Sequence, residues 1–247
     1  MKIWRFDDPE VFRNEIQDNL IIKEAENNLP LGIINNLISG EYRDQDPYLA
    51  FVEENNKPVI AILCTPPFPA IFSYQNPPPS DEVLNLVLDD LIDFLGDEFV
   101  GISGNKKLVD RLKDIWQELT GRKAELHMAM RIYKLDEVLP VPKTAGMIRP
   151  AEKEDRRLMV DWYSGFHRDA MLEAPDLVRV QKQVDIYLEA DPKVRGLMFW
   201  EKDGFPVSMA GYAGPTPNGI RIGAVYTPPE QRKQGYASAV TAGLSQY

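Results

Sequence analysis

Apolar residues recur along the first 135 positions in two alternating rhythms, one of helical period and one of strand period. In "PEVFRNEIQDNLIIKEAENNL" (9–29), Val11, Phe12, Ile16, Leu20 and Ala25 fall at helical spacing, with acids on the other face. "PLGIINNLIS" (30–39) predicts a second, short helix that Gly40 ends. "YLAFVEENNKPVIAILC" (48–64) sets two apolar runs around the turn residues "ENNKP", the pattern of a hairpin. "AIFSY" (70–74) is a further strand. After the breaker "NPPP", "SDEVLNLVLDDLIDFLG" (80–96) predicts a helix with Ser80 as N-cap and Gly96 past its end. A strand, "FVGISG" (99–104), and a glycine-closed helix, "KKLVDRLKDIWQELTG" (106–121), come next. "AELHMAMRIYKL" (124–135) then predicts a strand with Leu126, Met128, Met130 and Ile132 on one face.

"PVPKTAG" (140–146) interrupts the pattern with two prolines and a glycine, and predicts a linker between domains 1–139 and 147–247. Beyond it the order begins again. "MIRPAEKEDRRLMVDWYSGFHRDA" (147–170) reads as a short strand and a helix, and "APDLVRVQKQVDIYLEAD" (174–191) as a second helix. "GLMFWEKDGFPVSMAGYAG" (196–214) is a hairpin around Asp203-Gly204. "GIRIGAVYT" (219–227) is the next strand, and "PPEQRKQGYASAV" (228–240) a turn opening into a helix. Four elements of one half overlay four of the other in the same order, which implies a diverged internal duplication. The expected class is mixed α/β, with mostly antiparallel sheets and flanking helices. On this overlay the second half stops within its last helix or just after it. It lacks the strand, helix and strand that the first half carries over about 40 residues, from Leu95 to Leu135.

Composition narrows the function. With 44% hydrophobic and 27% charged residues, the 247-residue chain is that of a folded globular protein. No apolar run nears the ~20 residues of a membrane span, and the N-terminus has no signal-peptide core, so a cytoplasmic protein is expected. The net charge of −10 disfavours a nucleic-acid partner. Two histidines, His127 and His167, and one cysteine make a metal site improbable, and Cys64, within "VIAILC", reads as a core residue.

The turn holds the candidate chemistry. A helix N-terminus presents unpaired N–H groups and the positive end of the helix dipole, and phosphates bind there. Gly235 permits close approach, Ala237 is small in the first turn, and Arg232 and Lys233 add positive charge. The stretch has neither the G-K-[ST] of a P-loop nor the three glycines of a dinucleotide fingerprint. "TPPEQRKQGYASAV" resembles motif A of the GNAT superfamily of N-acetyltransferases, with Arg232, Gly235 and Ala237 on the motif's Arg/Gln-x-x-Gly-x-Gly/Ala core. "IRPAEKED" (148–155) resembles that family's first strand and the start of its first helix, and "MFWEKDGFPVSMAGY" its second and third strands.

The resemblance covers residues 147–247 and implies two GNAT-like halves, the first degenerate and the second incomplete. It implies acetyl-CoA as cosubstrate, with the pantetheine arm along Val225, Tyr226 and Thr227. The phosphates would lie on Arg232, Lys233, Gln234, Gly235, Tyr236, Ala237 and Ser238. Lys233 departs from the pattern, since that position is often glycine in the family. The matching loop of the first half, "QNPPPSDEV", has no Arg or glycine and two acids, so phosphate is not expected there.

Acyl transfer needs a base and an oxyanion donor. A backbone N–H near Val225 or Tyr226 is the natural donor, while "IRIGAVYT" offers no carboxylate base. His167, Asp169 and Glu173 lie between the two helices that floor the acceptor site in the family, but each reads first as a solvated surface residue. Tyr226 fits the cleft or the core equally, and no catalytic residue is assigned. Three functions stay open: an N-acetyltransferase acting on a small-molecule or peptide amine, a catalytically incomplete protein of this fold, or an acyl-CoA-responsive interaction protein. The missing strands imply an open sheet edge that favours pairing with a second chain.

Overall fold

A computed structural model describes residues 1–41, 46–171 and 174–247, the side chain of Met171 excepted. The chain divides into two compact units, Met1–Tyr133 and Lys134–Tyr247. Each is mixed α/β, with one mostly antiparallel sheet and flanking helices. No helix among the described residues is long and apolar enough to cross a membrane.

The first unit runs β1 (Lys2–Arg5), α1 (Pro9–Ile21), α2 (Asn28–Ile38), β2 (Tyr48–Glu54), β3 (Lys57–Cys64), β4 (Ala70–Tyr74), α3 (Asp81–Leu95), β5 (Ile102–Gly104) and α4 (Lys106–Thr120). Its sheet has the order β1-β2-β3-β4-β5, antiparallel except for the β4/β5 pair. Because side chains alternate across a strand, the sheet buries two cores. Leu49, Phe51 and Leu63 meet Phe12, Ile16, Leu20 and Ile34 of α1 and α2 on one face. Ala50, Val52, Ile60 and Ile62 meet Val83, Leu84, Val87 and Leu91 of α3 on the other, where Cys64 is buried too.

Two expectations for this unit are corrected. The helix expected over 9–29 ends at Ile21, because the buried Asn27 side chain donates to the Leu20 carbonyl at 2.9 Å and closes α1. The strand expected over 124–135 does not form, and Leu126, Met130 and Ile132 are exposed. Alternation prepares a strand face, but a strand needs a neighbour to take its backbone N–H and C=O groups. None pairs with this segment among the described residues.

The second unit repeats the order: β6 (Met147–Pro150), α5 (Arg156–Phe166), α6 (Leu177–Glu189), β7 (Arg195–Lys202), β8 (Phe205–Thr216), β9 (Gly219–Tyr226) and α7 (Tyr236–Gln246). Its antiparallel sheet is β6-β7-β8-β9. Residues 140–146 fall within this unit, and the Ala145 carbonyl accepts from Trp200 Nε1 at 3.0 Å. Both central hairpins turn through two residues of positive φ, Asn55-Asn56 (51° and 59°) and Asp203-Gly204 (51° and 81°), the backbone that a two-residue hairpin loop demands. Both also break register at the same point, at Val52/Glu53 in β2 and at Trp200/Glu201 in β7. One face of the second sheet packs on α5 and α6 through Leu197, Phe199, Met209 and Tyr226. The other packs on α7 through Met198, Ala210 and Val225.

Candidate active site

The site is built where β9 ends and α7 begins. Met209 of β8 pairs with Tyr226, and Gly211 with Gly223. Between these pairs β8 has one residue, Ala210, and β9 has two, Ala224 and Val225. This is a β-bulge, with Ala224 at φ 49°, in the left-handed region that alanine rarely occupies. A bulge breaks the ladder and leaves backbone groups unmatched by the neighbouring strand. Val225 packs toward α7 and Tyr226 toward α5 and α6.

Tyr226 is a core residue. It is 8% exposed, with its ring 6.3 Å from that of Trp162. It lies so close over α5 that a Cβ on Gly165 would come within 2.5 Å of its ring carbon Cζ. Gly165 therefore lets α5 approach β9, a role that its place in a helical pattern did not reveal. The strand exit is fixed by Ser208, whose hydroxyl donates to the Tyr226 carbonyl at 3.0 Å and lies 2.8 Å from Thr227 Oγ1.

Past Thr227 the chain makes a single 3-10 turn, Pro229–Gln231, and then reverses through Lys233 at φ 63° and Gly235 at φ 83°. The position expected to favour glycine is thus left-handed here and held by lysine. Gly235 is the N-cap of α7 and supplies no side-chain acceptor. The first helical bond runs from Ala239 N to Gly235 O at 2.9 Å, so the N–H groups of Tyr236, Ala237 and Ser238 precede the helix's own ladder. Ala237 and Ser238 are exposed. Tyr236 is buried, with its hydroxyl 3.1 Å from Gln234 Oε1, and offers the site its backbone alone. The first unit treats the matching helix differently. Ser80 caps α3 by accepting from Val83 N at 3.3 Å, and Asp81 and Glu82 occupy the first turn. An anion would find that terminus capped and negatively charged.

Arg232 does not extend freely from the loop. Its Nε donates to the Thr227 carbonyl at 2.9 Å, its Nη2 pairs with Asp169, and its guanidinium lies 5.7 Å from the Tyr226 ring centroid. Asp169, above all, holds the guanidinium above its ordinary pKa. Sequence spacing gave no sign of this partnership, which spans 63 positions. Of the other candidate bases, His167 sits against Tyr163 and Phe166, with ring centroids at 5.4 and 6.0 Å. Glu173 lies outside the described residues. The structure thus brings Val225, Tyr226, Thr227 and the segment 232–238 to one end of one sheet, with Asp169 beside them.

No protein-family model matches the sequence, and no curated protein sequence matches it. Three solved structures are similar at low identity. A possible acetyltransferase from Clostridium difficile 630 is 18% identical over 40% of this chain and 68% of its own, with a TM-score of 0.38. Ribosomal-protein-alanine N-acetyltransferase from Brucella melitensis is 17% identical over 40% of this chain and 65% of its own, with a TM-score of 0.33. A conserved protein of unknown function from Enterococcus faecalis V583, a probable N-acyltransferase, is 11% identical over 98% of this chain and 61% of its own, with a TM-score of 0.38. Each TM-score lies below 0.5, and the chemistry of the site rests on the β9–α7 geometry itself.

Proposed function

We propose that residues 147–247 form an acetyl-CoA-binding domain of the GNAT type and that the chain transfers an acetyl group to an amine. Residues 1–139 are then a degenerate copy, and 140–146, held to the second unit at Ala145, lead from it into the binding domain. The observation that carries this reading is the uncapped N-terminus of α7, which follows a bulged strand through one 3-10 turn and two left-handed residues. The N–H groups at Tyr236 to Ser238, with Lys233 and Arg232 nearby, suit a diphosphate. The interrupted ladder of β9 suits an extended arm laid along Val225 to Thr227. A backbone N–H at the bulge, at Val225 or Tyr226, suits the thioester oxygen. In the transfer, the amine nitrogen attacks the thioester carbon, the C–N bond forms as the C–S bond breaks, and the nitrogen's proton departs as the thiolate gains one.

Calorimetry with CoA tests the site. Gly235→Glu puts a carboxylate at the phosphate position, but it also places a side chain at a left-handed φ. Ala237→Glu supplies the same charge at an ordinary helical position. Both should weaken CoA by at least about tenfold, and Ala237→Glu should leave thermal unfolding nearly unchanged. CoA bound by Ala237→Glu as tightly as by the parent chain would remove the assignment. A second reading has its own observation. Asp169 is occupied by Arg232 and His167 is packed among aromatic rings, so neither described candidate is a ready base. This favours an acyl-CoA-responsive binding protein, and CoA release against a panel of amines separates it from the enzyme.

A further inference from the structure

A second group of residues lies on the α5/α6 face of the same sheet, N-terminal along β9 from the bulge. Arg195 on β7 pairs with Ala213 on β8, and Ala213 pairs with Arg221 on β9, so the two arginines stand in one cross-strand row. The next row toward the bulge contains Gly211 and Gly223, which raise no side chain above the sheet. Tyr187 of α6 covers that gap, for a Cβ on Gly211 would lie 3.0 Å from its hydroxyl. Tyr163 of α5 is its neighbour, with ring centroids 6.1 Å apart, and donates its hydroxyl proton to Tyr187, whose own proton stays available. Burial, first of all, pushes the titration of both phenols up, while both arginines pull it down, so both keep their protons at neutral pH. Arg195 is buried at 7% exposure. Arg221 is exposed and, among the described residues, stands in no ion pair.

We propose that Arg221, with the Tyr187 hydroxyl, receives a carboxylate of the acyl acceptor, and that the acceptor is therefore an amine that also carries a carboxylate. A guanidinium offers a planar fork of donors and a phenol a single O–H donor, and a carboxylate accepts from both. The position suits a substrate. From Arg221 to Ala224 the strand covers about 10 Å, a distance that a small acceptor spans together with the arginine side chain. A small acceptor held there by its anion presents its nitrogen toward the bulge. The row is cationic within a chain whose net charge is −10. The proposal rests on the acetyl-CoA reading for the transfer step, though the binding of the anion does not require it.

The test uses matched ligands that differ only in the carboxylate: phenylalanine against phenethylamine, and lysine against cadaverine. A dipeptide with a free or an amidated C-terminus tells a peptide acceptor from a free amino acid. Binding is measured by calorimetry on the full chain, with and without CoA, for the parent and for Arg221→Gln. The parent should prefer the carboxylate member of a pair by about tenfold or more. Arg221→Gln should lose that preference and keep its affinity for CoA. Equal affinity within every pair, or a preference that survives Arg221→Gln, would overturn the proposal. A carboxylate preference in a chain that binds no CoA would uphold the anion site and discard the transferase reading.

Discussion

Arg232 donates one arm to the Thr227 carbonyl and gives another to Asp169, so its charge is partly answered before any ligand arrives. Both members of the ion pair are roughly half exposed, and such a pair is weak in water. A diphosphate offers more negative charge than one carboxylate and would compete for the same guanidinium. Asp169→Asn should therefore tighten CoA by about two- to fivefold, measured by calorimetry, and should leave pantetheine, which has no phosphate, unaffected. Unchanged or weaker CoA binding would mean that Arg232 serves the site in its present pose, with Asp169 as its positioning residue. Lys233 shows a different economy. It holds a left-handed backbone without being glycine, so the loop keeps a cation where the family pattern often gives it up.

At the scale of elements, α3 and α7 hold the same place in their units and differ at their N-termini. Ser80 occupies the end of α3 with its own oxygen, and Asp81 is further tied to Arg111. Gly235 leaves the end of α7 open. CoA should accordingly bind with a stoichiometry of one per chain by calorimetry, and two equivalents would contradict the contrast. The elements that sequence revealed are those whose signal is local. Ser80 and Gly96 bounded α3, Asp203-Gly204 set a hairpin, and the single glycine before "YASAV" marked the start of α7. What it missed depends on partners. Residues 124–135 alternate as a strand should and find no partner strand among the described residues, and the early end of α1 at Ile21 turns on one buried Asn27 contact. The bulge at Ala224, the Asp169–Arg232 pair and the row Arg195–Ala213–Arg221 arise from strand register and helix placement, which side-chain spacing does not encode.

Across the whole molecule, two units share element order, hairpin turn and the register break in the second strand, yet they part at the fourth strand. β4 pairs with β3 in unbroken register from Ile60↔Tyr74 to Leu63↔Ile71. Between Gly223 and Tyr226, β9 carries one residue more than the stretch of β8 that faces it. The surplus can be removed without disturbing the residues beyond it. If Ala224 were absent, Val225 would fall opposite Ala210 and Tyr226 would stay opposite Met209. Val225 would still face α7, and Tyr226 would still face α5 and α6. A gene lacking that single codon should therefore encode a folded protein, with a melting temperature equal to or above the parent's, since a left-handed alanine, a cost of about 1–2 kcal/mol, is gone. It should hold CoA by its phosphates and yet have lost the step at the thioester. The residue costs stability where it stands, and the deletion shows whether what it supplies in return is chemistry.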